Sequence, residues 1–189
     1  MCVGVAFAAQ LGVRGDCGPV KYSASGLPTG LKLVKTAIKS GTKTTGYDYS
    51  VAGVPTKAGE FFVTFRTKLN GVSTVTTAAF TVLDLPAWAQ GTFDGGAEAG
   101  EAFAAGGQVT FTVSKVGKIS GKWLSGGTNW TLSAASYGRY DGETASYIAE
   151  VIGKTGSGKT ARVFTNELTV AADELGGVAT NGLFLAYQN

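Results

Sequence analysis

Residues 153–160 read Gly-Lys-Thr-Gly-Ser-Gly-Lys-Thr, and no other string restricts the possible folds of this chain so sharply. It matches G-x-x-x-x-G-K-[ST], the pattern of a glycine-rich loop that cradles phosphate. That chemistry exists only where a buried strand enters the loop and a helix leaves it. Successive backbone N–H groups, the helix dipole and the lysine must converge on one anion. The flanks therefore decide between two incompatible proteins, a nucleotide-binding α/β domain and an all-β module with a glycine-rich turn.

Residues 145–152, Ala-Ser-Tyr-Ile-Ala-Glu-Val-Ile, form a credible strand. Residues 161–170 are mostly β-branched or aromatic, with Phe164, Leu168 and Val170 on one strand face. Read as a helix, Val163, Phe164, Leu168 and Val170 give only a partial stripe. About thirty residues follow the string, too few for a doubly wound sheet. The nearest hydrophobic run ending in aspartate, Phe80 to Asp84, lies upstream, whereas a magnesium-holding strand is expected later. Gly153, Gly158, Lys159 and Thr160 are accordingly read as a decoy P-loop, with no cofactor assigned. The reading predicts that residues 148–152 and 161–164 pair antiparallel across a turn, and a helix starting at Lys159 would overturn it.

The rest of the chain agrees with β structure. Of 189 residues, 29 are glycine and only 4 proline, and the remainder is dominated by Thr, Val, Ser, Ala and aromatics. Such a composition suits short strands between tight turns. In the first half Val3, Val5 and Phe7 alternate with small residues, and 20–25 gives a second segment. Phe61, Val63, Phe65 and Leu69 share one strand face, and Asn70-Gly71 is a type I′ hairpin signal before the return strand 72–83. Residues 35–45 are polar and lysine-rich and read as a loop. Leu85-Pro86 marks a boundary, because proline interrupts a sheet ladder.

Beyond the boundary, 91–107 holds two large apolar residues, Phe93 and Phe103, and reads as a connecting loop or weakly held strand. Alternation then resumes at Val109/Phe111/Val113, Ile119/Gly121/Trp123 and Trp130/Leu132, with turns at Gly117-Lys118 and Gly126-Gly127. The expected fold is all-β: a β-sandwich over 1–84, then a glycine-rich antiparallel β-barrel or sandwich over 85–189.

Two segments carry a family resemblance. Residues 22–33, Tyr-Ser-Ala-Ser-Gly-Leu-Pro-Thr-Gly-Leu-Lys-Leu, and 51–59, Val-Ala-Gly-Val-Pro-Thr-Lys-Ala-Gly, precede an aromatic strand. Together they resemble the Ig-like domain family of bacterial surface proteins, which recurrently shows a sasGLPpGL turn, a GtPtkaG turn and a terminal ftltV strand. The resemblance spans 1–84, although the link 34–49 is longer than the family's usual one. It implies a seven-stranded Ig-like sandwich, repeated in tandem in secreted or cell-surface proteins, and carries no catalytic residues. The pattern from Gly91 through Trp130-Thr-Leu-Ser-Ala134 resembles a β-module that follows such units in repeat-rich bacterial proteins.

Several chemistries are excluded or disfavoured. The chain has no histidine, which removes histidine-based triads, zinc sites and general bases. Cys2 and Cys17 form no zinc motif; a disulfide between them and a pair of separate thiols remain open alternatives. The net charge is only +3 and the lysines are scattered, so no nucleic-acid footprint is read. No stretch has the apolar length of a membrane span, so membrane insertion is not expected. The carboxylate pairs Asp141/Glu143 and Glu98/Glu101, and a calcium site from Asp94, Asp141 or Asp173, are read as solvated turns; no metal site is assigned.

Ligand candidates are Tyr137, Tyr140 and Trp88, the first two in the loop 135–143. Exposed aromatics stack on sugars, while Trp123 and Trp130 are read as core and Trp88 as packing at the boundary. The leading expectation is a non-catalytic structural or adhesive module of a bacterial cell-surface or secreted protein, not an enzyme. Its expected partners are glycans, other surface proteins and neighbouring domains of a longer chain. A carbohydrate-binding module is the alternative, and nucleotide binding through 153–160 the third.

Overall fold

A computed structural model describes residues 1–11, 20–97, 106–180 and 185–189. The structure is nearly all β and divides into two compact units, Met1–Asp84 and Leu85–Asn189. Among the described residues no helix is long and apolar enough to cross a membrane.

The first unit contains six strands: β1 (Phe7–Leu11), β2 (Lys21–Ser25), β3 (Leu31–Ser40), β4 (Lys43–Gly53), β5 (Gly59–Leu69) and β6 (Val72–Val82). They form two antiparallel sheets, ordered β1-β4-β3 and β2-β5-β6. One apolar core joins the sheets. Leu31 and Val51 come from the first and Val63 and Phe65 from the second, with Phe7, Leu33, Ala24 and Phe80 packed around them. Val51 and Val63 are fully buried, and each such side chain contributes roughly 1.5–3 kcal/mol. The chain start is tied to the last strand through a parallel bridge, Cys2 to Leu83. The Cys2 thiol donates to the Asp84 carbonyl at 3.2 Å, while Cys17 and any disulfide to it lie outside the described residues.

The two glycine-proline turns that carried the family resemblance meet in space. Thr56 N–H donates to the Thr29 carbonyl at 2.9 Å. Gly30 and Gly53 both have positive φ, and a Cβ on either would overlap the facing backbone, that of Val54 and of Gly30 respectively. Only glycine permits both the torsion and the approach.

The Asn70-Gly71 hairpin forms as expected, with φ of 48° and 87° and Leu69 directly opposite Val72. The segment 35–45 differs from its reading as a loop. It extends β3 and β4 into a two-stranded ribbon that turns at Gly41, with a register shift between Ile38 and Lys39. The ribbon is exposed on both faces, so its sequence has no reason to alternate, and pairing satisfies its backbone without burying side chains.

The second unit opens with a single 3₁₀ turn, Ala87–Ala89, and continues through β7 (Gly91–Ala97), β8 (Gly107–Val113), β9 (Ile119–Ser125) and β10 (Thr128–Ala134). Then follow β11 (Arg139–Asp141), β12 (Ser146–Thr155), β13 (Arg162–Asp173), β14 (Gly176–Thr180) and β15 (Leu185–Gln188). Strands β7–β10 and β12–β15 close into an eight-stranded antiparallel barrel through the β15–β7 and β10–β12 pairings, with β11 added to β12. Between the two architectures left open by the sequence, closure makes this one a barrel.

Eight strands leave an interior just wide enough for side chains to fill. Phe93, Val109, Phe111, Ile119, Trp123, Leu132, Leu168 and Val170 point inward and are fully buried. Phe93 stacks on Phe111 at 5.0 Å near the middle. Of the two alternatives left open for 91–107, a connecting loop or a weakly held strand, the structure has a strand over the first part. Residues 91–97 form a barrel strand paired on both sides, whose glycines hide its alternation.

Candidate functional site

The string 153–160 is a hairpin. β12 and β13 pair antiparallel, Ile152 opposite Thr165 and Thr155 opposite Arg162, and the six residues 156–161 between them include one three-residue 3₁₀ turn, Gly158–Thr160. Each landmark of the motif has a structural role. Gly153 faces the barrel interior beneath the Phe164 ring, which a Cβ would overlap. Gly156 and Gly158 adopt positive φ of 74° and 57° to turn the chain. The Thr160 hydroxyl donates to the Ser157 carbonyl at 2.8 Å, and Lys159 is exposed. Without a helix no array of free N–H groups converges on an anion. The Phe164 ring is itself wedged between Trp130 (5.2 Å) and Trp123 (5.8 Å), and the Arg162 guanidinium lies 5.2 Å over the Trp130 ring. Trp123 and Trp130 are core residues, as the alternation indicated.

A second aromatic cluster contains the ligand candidates. Strand β11 places Tyr140 directly opposite Tyr147 of β12, with ring centroids 4.9 Å apart. Tyr137 approaches the same ring at 5.2 Å and Trp88, from the 3₁₀ turn, at 5.3 Å. Tyr147 is thus the buried hub of four rings, a role no local sequence signal announced.

The three candidates fare differently. Tyr137 is completely buried, and its hydroxyl donates to the Ala89 carbonyl at 2.8 Å. Burial, reinforced by Tyr147, pushes its phenol well above the usual value, so it stays a neutral donor. A ring with no exposed face cannot stack on a ligand, and Tyr137 is corrected from ligand candidate to structural pin. Tyr140 remains 50% exposed and Trp88 half-buried, so these two present ring surface to solvent.

The turn after Tyr140 is held by Asp141, whose carboxylate accepts from the Thr144 hydroxyl at 2.8 Å and the Glu143 N–H at 3.0 Å. Those bonds, the hydroxyl first, hold the Asp141 carboxyl below the usual range. Asp141 is accordingly a turn organiser. Across the neighbouring strands Glu150 stands directly opposite Glu167, a like-charge pairing, and Arg139 meets Glu167 at 3.1 Å. Asp94 bonds to Asn189, and Asp173 accepts from the Glu174 N–H at the end of its own strand. No group of three metal-ligating side chains exists among the described residues. Glu98 and Glu101 lie outside them.

The fold and site together define a closed eight-stranded β-barrel with a filled interior, preceded by a two-sheet unit and carrying a half-exposed aromatic cluster on β11 and β12. No protein-family model matches the chain, and no curated protein or solved structure matches it.

Proposed function

We propose that the chain is a non-catalytic structural or adhesive module of a bacterial cell-surface or secreted protein. The observation that carries this reading is the barrel interior, where Phe93, Phe111, Ile119, Trp123 and Leu132 are fully buried. A closed sheet has no free edges within the barrel wall, and a filled one resists local opening, both of which suit a module exposed to proteases and mechanical load. The Ig-like turn motifs of the first unit support the same setting. The test presents the full chain on beads and measures detachment under flow from glycan-coated and protein-coated surfaces, alongside its resistance to protease. Adhesion with slow proteolysis is expected. Rapid cleavage within the barrel strands would remove the structural role, and detachment matching bare beads would remove the adhesive one.

A carbohydrate-binding role is a second reading, favoured by the exposed ring surface of Tyr140 and of half-buried Trp88, each of which contacts Tyr147. An exposed ring can stack on a pyranose, and contact with buried Tyr147 holds each of these two rings. Tyr140→Ala is expected to abolish any glycan-array signal of the barrel. A signal that survives this change sinks the assignment to this cluster.

A further inference from the structure

Five of the seven lysines of the first unit gather toward one end of it, while Lys32 and Lys57 lie by the two glycine-proline turns. Tyr22 of β2 and Tyr49 of β4 meet at 5.0 Å and close one end of its core. At or beyond this level lie Lys21 and Lys68, directly opposite each other on β2 and β5. Lys35 stands opposite Tyr49, and Lys39 and Lys43 lie further out on the β3–β4 ribbon. Arg66, opposite Ser23, is one step inward along the same face as Lys68. All six are exposed, and Asp48 supplies the only carboxylate at this pole among the described residues.

Directly opposed like charges destabilise a sheet. In the barrel the Glu150/Glu167 opposition is offset by Arg139. Among the described residues the Lys21/Lys68 opposition has no such offset, and none of the six cations forms an ion pair. A like-charge opposition with no ion-pair partner among the described residues points to an external anion. We infer that this pole binds an acidic polysaccharide.

The pairing registers select that partner. Arg66 faces Ser23, Lys68 faces Ser73, Lys39 faces Thr44 and Lys43 faces Ser40, so cation and hydroxyl sit side by side, matching carboxylate or sulfate groups among sugar hydroxyls. Base stacking is poorly served. Tyr22 and Tyr49 pack on each other, and the Lys35 ammonium sits 3.7 Å from the Tyr47 ring centroid. A bilayer is also poorly served, because the leading residues of the two hairpins are Gly41-Thr42 and Asn70-Gly71, all polar or small. The eleven-residue β6 separates this pole from Asp84, where the chain leaves the unit.

This inference names a partner for the proposed surface module. Its failure is separable from that reading, since protease resistance and flow detachment from protein-coated surfaces do not depend on these lysines. The test immobilises the full chain and titrates polygalacturonate, heparin, neutral dextran, a 20-base-pair DNA duplex and vesicles containing phosphatidylserine at two salt concentrations. Binding to the acidic polysaccharides alone is expected, weakening at least about tenfold from roughly 50 to 200 mM salt as screening increases. Lys35→Gln/Lys39→Gln/Lys43→Gln and Lys21→Gln/Lys68→Gln should each lose about tenfold or more without a lower melting temperature. Lys115→Gln/Lys118→Gln/Lys122→Gln, in the barrel, should bind like the parent. Absence of binding, equal binding to dextran, tighter binding to DNA or vesicles, or equal loss in the barrel variant would each overturn the inference.

Discussion

Adding one methyl group at Gly153 tests the conversion of a phosphate-loop string into a barrel wall. Its new Cβ would point inward and overlap the Phe164 ring, which stands directly opposite in the β12–β13 ladder. The ring has little freedom to yield, because Trp130 and Trp123 hold it at 5.2 and 5.8 Å. Overpacking of this kind costs about 1–3 kcal/mol. Replacing a strand glycine by alanine returns roughly 0.5–1 kcal/mol through reduced backbone entropy of the unfolded chain. Gly153→Ala is therefore expected to lose about 1–2 kcal/mol net. In a Phe164→Leu background the obstruction is gone, and the same change should stabilise by about 0.5 kcal/mol or more. All three tryptophans belong to the second unit, and two of them touch Phe164, so tryptophan emission during urea unfolding reports on the barrel directly. The double-mutant cycle should give a coupling of at least about 1 kcal/mol. A neutral Gly153→Ala, or an equal cost in both backgrounds, would refute the packing argument.

Tyr137→Phe should destabilise the barrel by about 1–3 kcal/mol, since the buried Ala89 carbonyl loses its donor, whereas Tyr140→Phe should change little; urea midpoints compare them. Because burial raises the Tyr137 pKa, its stabilising effect is complete below the ordinary phenol value of 10.0 and fades as pH climbs above it. Alkaline melting curves should accordingly show a smaller loss in Tyr137→Phe. Asp141 has the opposite sign: its lowered pKa means that its contribution holds above the ordinary 3.8 and disappears as pH falls below, so Asp141→Ala should flatten the acid limb of the stability profile. Lys159→Ala should leave stability within about 0.5 kcal/mol, and Mg-ATP should shift the melting temperature of neither protein; a shift lost in the variant would restore nucleotide binding. Gly30→Ala should cost more than 1 kcal/mol in the first unit, as both its positive φ and the Val54 backbone oppose a Cβ; circular dichroism melting reads this.

Much of the β structure was legible wherever one strand face is buried. Val109/Phe111/Val113 and Trp130/Leu132 alternate because every second residue enters the barrel, and Asn70-Gly71 declared its hairpin through the torsions that turn requires. Legibility failed where burial does not alternate. Residues 35–45 are solvated on both faces, and the β7 segment fills its inward positions partly with glycine. The aromatic site was half visible. Loop tyrosines beside a turn are reasonable ligand candidates, but a ring turned outward and a ring pinned inward look identical in sequence. Tyr137 and Tyr140 are three residues apart and have opposite fates.

Local chemistry by itself determined that the string 153–160 joins two strands rather than a strand and a helix, because β-branched and aromatic neighbours on both sides support strands and no helix stripe follows. Only the tertiary structure decided what that turn closes. Barrel closure depends on pairing the first strand of the second unit with its last, Phe93 with Gln188, and on the β10–β12 contact across β11. The basic pole likewise depends on strands distant in sequence, which bring Lys21 beside Lys68. Such pairings join segments through backbone hydrogen bonds that every residue offers alike, so a periodic pattern specifies a strand's faces but not its neighbours.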